Sequence, residues 1–80
     1  MDINMKMPDL ATNEGVELCI QRWLVEVGQA IKRGQPLLEV ETDKAVQEVE
    51  SIATGVLKTI HVPAGEKVAV GRVIATIKAG

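Results

Sequence analysis

Leu37-Leu38-Glu39-Val40-Glu41-Thr42-Asp43-Lys44-Ala45-Val46-Gln47-Glu48-Val49-Glu50 contains two alternating segments that meet at Asp43-Lys44, in the middle of an 80-residue chain. Alternation of apolar and polar residues marks a half-buried strand, and two such strands joined by two residues form a hairpin. Turns of this length favour Asn-Gly, Asp-Gly or Gly-X, because they need positive φ at one or both central positions. Asp43-Lys44 lacks glycine and presents an amine at the tip. The plain reading is a solvated turn lysine; the sharper one is a lysine placed there for chemistry. Period-two alternation predicts that Leu38, Val40, Thr42, Ala45, Gln47 and Val49 share an inward face. Leu37, Glu39, Glu41, Val46, Glu48 and Glu50 fall on the other face, which should be largely solvated.

Outward from the hairpin, the chain carries an internal repeat. Val27-Gly28-Gln29-Ala30-Ile31-Lys32-Arg33-Gly34-Gln35-Pro36-Leu37 matches Ala64-Gly65-Glu66-Lys67-Val68-Ala69-Val70-Gly71-Arg72-Val73-Ile74 at an offset of 37 residues. The match extends upstream, with Cys19, Ile20, Trp23 and Val25 aligned to Val56, Leu57, Ile60 and Val62, and downstream from Val40 to Ile77. Two copies are too few for a solenoid, so the repeat predicts two half-sheets packed as a closed, quasi-twofold unit. Each copy reads as a strand, a glycine-flanked loop and a second strand: Leu18 to Val25, Gly28 to Gly34, then Pro36 to Glu41. Glycine at both loop ends implies positive φ or close approach, with Ile31 and Val68 pinning the loops to the core. Pro36 opens its strand, where a missing amide donor is tolerated. Lys44 lies at the junction between copies, and 37 residues earlier stands Met7. A quasi-twofold would put the hairpin tip at one end and both termini at the other, a geometry suited to a tethered carrier.

Composition agrees with an all-β chain. Val and Ile are abundant, there is no Phe or Tyr, and Trp23 is the single aromatic residue apart from His61. At this size folding removes only ~60% of the unfolded surface from water, so one economical domain covers residues 1–80. It is expected to be excised from, or amino-terminal in, a larger chain. A net charge of −2 without a basic cluster, and without aromatic stacking platforms, argues against nucleic acid. No apolar run approaches a membrane span and the start lacks the form of a signal peptide, so no membrane partner is expected. Cys19 has no intrachain disulfide partner, which fits a reducing compartment: bacterial cytoplasm, or the mitochondrial matrix in a eukaryote.

Other candidates have bland readings. Cys19 and His61 suggest a nucleophile and a base, but no third orienting group is placed, and Cys19 aligns with Val56, so a core cysteine is expected. Trp23, aligned with Ile60, is expected to cover the core or a groove. One His and one Cys supply too few ligands for a structural zinc. Glu39, Glu41, Glu48 and Glu50 serve either edge protection and solubility or partner recognition.

The sequence resembles the lipoyl domain of 2-oxo acid dehydrogenase complexes, within the biotinyl/lipoyl carrier family, over nearly its whole length. Glu41-Thr42-Asp43-Lys44-Ala45 carries the likeness, supported by Met7-Pro8-Asp9-Leu10, Arg22-Trp23-Leu24-Val25, Gly34-Gln35-Pro36-Leu37-Leu38 and Thr54-Gly55-Val56-Leu57. The resemblance implies a flattened β-barrel, or sandwich, of two four-stranded antiparallel sheets with quasi-twofold symmetry. It implies lipoic acid joined by an amide to Lys44, with Glu41, Thr42, Asp43 and Ala45 recognised around it. Ala11-Thr12-Asn13-Glu14-Gly15 departs from the Gly-Glu-Gly common after Pro-Asp-Leu, in a loop that helps a decarboxylase recognise its carrier.

By the same resemblance, the domain is a carrier without catalysis of its own, and its parent is a dihydrolipoamide acyltransferase. Lipoate ligase or a lipoyltransferase would modify it. The arm would take an acyl group from a thiamine-diphosphate-dependent 2-oxo acid decarboxylase, deliver it at the acyltransferase core, and be reoxidised by dihydrolipoyl dehydrogenase. The dithiolane supplies the chemistry and the protein presents it. The alternatives are a biotin carrier domain, in which methionines flank the lysine where this chain has Asp43 and Ala45, and an unmodified lipoyl-like structural or adaptor module.

Overall fold

Branched aliphatic residues alternating with polar ones build strands along the whole chain. The computed structural model describes residues 1–8, 17–42 and 45–79. The strands are β1 (Asp2–Lys6), β2 (Glu17–Trp23), β3 (Ala30–Ile31), β4 (Pro36–Glu41), β5 (Val46–Glu50), β6 (Gly55–Ile60), β7 (Lys67–Ala69) and β8 (Val73–Lys78). No helix occurs among the described residues. The strands form two four-stranded antiparallel sheets, ordered β1-β8-β6-β3 and β5-β4-β2-β7. The two-sheet, all-β architecture expected from the sequence is the one observed.

One sheet order maps onto the other strand by strand, and the hydrogen bonds follow. The Gly28 amide donates to the Leu57 carbonyl at 2.7 Å and the Leu57 amide to the Gln29 carbonyl at 3.0 Å. In the other half the Gly65 amide donates to the Ile20 carbonyl at 2.7 Å and the Ile20 amide to the Glu66 carbonyl at 3.0 Å. These partners stand 37 residues apart. The outer strands keep a different offset: Asp2 pairs with Lys78, and Val46 with Glu41, so β1 and β5 are 44 residues apart. The connection after the outer strand is therefore seven residues longer in the first half. This corrects the alignment of Met7 with Lys44. The Gly71 amide donates to the Met7 carbonyl at 2.9 Å just as the Gly34 amide donates to the Ser51 carbonyl at 2.9 Å, which makes Ser51 the counterpart of Met7. Loop length can differ between copies, whereas register on a buried face cannot.

A second correction concerns Leu37, which is fully buried rather than solvated. The β4–β5 register skips between Pro36 and Leu38, leaving Leu37 as the extra residue of a bulge. Its counterpart Ile74 is the extra residue where the β1–β8 register skips, and it too is fully buried. An inserted residue bends the strand and re-aims its side chain, so Leu37 and Leu38 both enter the core. The core also takes Met5, Met7, Leu18, Ile20, Val40, Leu57 and Ile77. Ile31 and Val68 are buried beneath their loops as expected. The four loop glycines have φ between 86° and 93°, a region that L side chains disfavour.

Register also fixes which end of the molecule is which. Ala69 pairs with Glu17, at the end of β2 where Cys19 pairs with Glu41. Residues 70–72 then turn the chain into β8 at Val73. Thus β8 starts at the end where the β4–β5 hairpin closes and finishes at the other, where the Ala79 amide donates to the Met1 carbonyl at 2.9 Å.

Candidate functional site

The hairpin is built by alternation on β4 and β5 and closed by a threonine. The Thr42 amide donates to the Ala45 carbonyl at 2.9 Å, and the Thr42 hydroxyl donates to the same carbonyl at 2.7 Å. The Ala45 amide donates back to the hydroxyl oxygen at 3.3 Å. A short hydroxyl side chain beside a turn bonds nearby backbone in this way, holding a closure that has no glycine to ease it. Asp43 and Lys44, expected to form the turn itself, lie outside the described residues, as does the atypical segment 11–15.

Beside the closure the outer face is charged in rows. Glu39 of β4 stands directly between Arg22 of β2 and Glu48 of β5. Arg22 Nε donates to Glu39 Oε1 at 2.6 Å, which offsets the like-charge pairing of the two glutamates, although an exposed ion pair contributes little by itself. One row nearer the tip, Glu41 lies between Cys19 and Val46, with Lys67 beyond Cys19. Val46 is 49% exposed, an apolar side chain next to Ala45. Glu41, Thr42 and Ala45, singled out from the sequence, therefore come together at one end of the β5-β4-β2-β7 sheet.

Some expected placements differ. Ala45 and Gln47, expected inward, are exposed, because β5 is an edge strand and its inward row is buried only at Val49. Cys19 is half-buried rather than a core residue: Leu18 and Ile20 occupy the core-facing positions, so Cys19 takes the other face. His61 is engaged in the opposite sheet. Thr76 Oγ1 donates its single hydrogen to Asn4 Oδ1 at 3.1 Å, so His61 Nε2, 2.8 Å away, is the donor to Thr76. Trp23 packs half-buried against the core and its indole N–H donates to the Val62 carbonyl at 2.9 Å. What the sequence did not reveal is the closure by Thr42; a hydroxyl residue at the strand end before a glycine-free turn was the available signal.

Among the described residues no three His, Cys, Asp or Glu side chains converge as a metal site, and no helix is long and apolar enough to cross a membrane.

The Biotin_lipoyl family model, described as biotin-requiring enzyme, matches residues 3–77. The chain is 45% identical, over 96% of its length, to the dihydrolipoyllysine-residue acetyltransferase component of the pyruvate dehydrogenase complex of Zymomonas mobilis. It is 38% identical, over 95% of its length, to the dihydrolipoyllysine-residue succinyltransferase component of the 2-oxoglutarate dehydrogenase complex of Bacillus subtilis. It spans 18% of each of those proteins. The solution structure of the lipoyl domain of the 2-oxoglutarate dehydrogenase complex from Azotobacter vinelandii superimposes with a TM-score of 0.79 at 29% identity, covering 98% of both chains.

Proposed function

The chain belongs to the biotinyl/lipoyl family as a lipoyl domain, a carrier module rather than a catalyst, and on that premise we propose that Lys44 carries lipoic acid in amide linkage. The observation that supports this most is the hairpin: a lysine between strands whose last described residues, Thr42 and Ala45, are clamped together by three hydrogen bonds. Asp43 and Ala45 beside it, in place of the methionines of biotin carriers, favour lipoate over biotin. Glu41, Thr42, Asp43 and Ala45 form the surface that the modifying ligase or lipoyltransferase reads.

The arm accepts an acyl group from a thiamine-diphosphate-dependent 2-oxo acid decarboxylase and passes it to an acyltransferase core; dihydrolipoyl dehydrogenase then reoxidises it. The relatives named above, acyltransferase components of such complexes, support this set of partners and a dihydrolipoamide acyltransferase as the parent. Their bacterial sources support a cytoplasmic setting. A longer chain joined at either terminus holds the domain by the end opposite the hairpin, leaving Lys44 free to visit successive active sites. Tethering raises the effective concentration at each, so weak contacts suffice.

Modification neutralises one ammonium and moves the formal net charge from −2 to −3, which a native gel resolves. We expect the shift with lipoate ligase, lipoate and ATP, and none with biotin ligase and biotin. A shift with biotin alone would reverse the choice of cofactor.

A further inference from the structure

The edge strands β1 and β5, one from each sheet, frame a groove of about 270 Å³. Its lining respects the 44-residue offset: Met5 is matched by Val49, Lys6 by Glu50 and Pro8 by Ile52. The groove therefore straddles the quasi-twofold axis. Symmetry doubles its apolar wall and divides its charge, with Lys6 on the β1 rim and Glu48 and Glu50 on the β5 rim. Met5 and Val49 are buried, whereas Ile52 is 53% exposed, so apolar surface at the groove faces water.

We infer that this groove is the resting site of the lipoyl arm, an inference that rests on the assignment of lipoate to Lys44. Reach supports it first. Glu48, the groove residue nearest the tip, stands four residues after Lys44, a span of about 13 Å at ~3.3 Å per residue. A lipoyl-lysine arm has about eleven bonds between Cα and the sulfur-bearing ring carbon, roughly 14 Å when extended at ~1.25 Å per bond. The near rim of the groove, at Glu48, lies at the end of that tether.

The path is open as well. Ala45 and Gln47 lie on the same side of β5 as Val49, and both are exposed, so an arm leaving the tip can follow that side of the strand. Size and chemistry match the occupant. Sites that enclose drug-sized ligands begin near ~300 Å³, so this smaller groove suits a short methylene chain with a five-membered ring. The flexible, polarizable thioether of Met5 adapts its packing to a sulfur-containing ring. Because the ligand is tethered, modest apolar contact is enough to populate the docked state, and the same weakness lets an active site draw the arm away.

The test is by NMR on isotopically labelled domain, with intact mass first establishing complete lipoylation. Lipoylation is expected to move the side-chain methyl resonances of Met5, Val49 and Ile52 by at least as much as the Ala45 methyl. In Ile52→Asn, whose substituted side chain is mostly in water, the changes at Met5 and Val49 should fall by more than half while lipoylation remains complete. Free lipoamide at millimolar concentration, added to Lys44→Arg, should perturb the same three residues. Changes confined to Thr42, Ala45 and Val46 in fully lipoylated protein would overturn the resting site and leave the assignment of Lys44 intact. Failure to acquire any lipoyl mass would overturn that assignment; perturbation by free lipoamide would then still support the groove as a site for this ligand class, and its absence would remove that too.

Discussion

Thr42 and Ala45 are joined by a backbone hydrogen bond of 2.9 Å, and Ala79 and Met1, their counterparts at the far end of the molecule, are joined by another of 2.9 Å. The quasi-twofold therefore equates a closed hairpin with the place where the chain enters and leaves. The added feature at the hairpin is the Thr42 hydroxyl, which both donates to and accepts from Ala45.

Thr42→Val should loosen the tip without unfolding the domain. The loss is about 1 kcal/mol, the net worth of a hydrogen bond, and the Ala45 amide can turn to water. The urea midpoint checks the stability, and the initial rate of lipoylation should fall by a larger factor than in Thr42→Ser, which keeps the hydroxyl. Equal rates in the two variants would remove Thr42 from the recognised surface.

Leu37→Ala distinguishes the bulge from simple alternation. With the side chain buried in the core, truncation should cost about 2–5 kcal/mol, whereas Gln47→Ala on the exposed edge strand should stay within ~0.5 kcal/mol of the native chain. Regular alternation would place Leu37 in water and predict little effect.

These two positions also mark how far the sequence alone was legible. The fold class, the duplication, the loop glycines and the hairpin could be read because strand periodicity and positive-φ turns constrain residue type directly. The bulge at Leu37 could not, since an extra apolar residue beside Leu38 looks the same whether it points in or out until the partner strand sets the register. The 44-residue relation between β1 and β5 was hidden for a different reason. Edge strands exposed on one side carry little shared sequence, and a longer loop in the first half shifts them out of the alignment that fits the inner strands. The groove at the quasi-twofold was invisible with it, as its two walls belong to segments that look unrelated.

Gly55→Ala should be strongly destabilising for steric reasons. A β-carbon there would overlap the carbonyl oxygen of Lys78 on the adjacent strand, and backbone cannot yield as a flexible side chain can. Forcing β6 and β8 apart is expected to cost about 1–3 kcal/mol, measured by denaturant unfolding followed at Trp23.

Asp2 gives a pH dependence of defined sign. Lys58 Nζ donates to its carboxylate at 2.6 Å, and this hydrogen bond is the largest cause holding the Asp2 pKa below its ordinary 3.8, with attraction from Lys58, the amino terminus and Lys78 adding to it against a smaller opposing effect of burial. A carboxylate with a lowered folded pKa stabilises the fold above its unfolded pKa and loses that contribution as pH falls through the folded value. Native protein should therefore exceed Lys58→Met slightly in urea midpoint near neutral pH, and the difference should vanish in acid below the ordinary carboxylate range. The group is exposed, so ~1 M salt should also erase the difference. A gap that persisted in acid would mean that Lys58 acts through packing of its methylene stem.

The central claim is that Lys44 is the attachment point, and intact mass with peptide mapping tests it most directly. Native chain and Lys44→Arg are incubated side by side with lipoate ligase, lipoate and ATP. The account predicts one lipoyl increment, mapped to the peptide containing Lys44, and none on the variant. An increment that survives in Lys44→Arg, or none on the folded native domain, would contradict it.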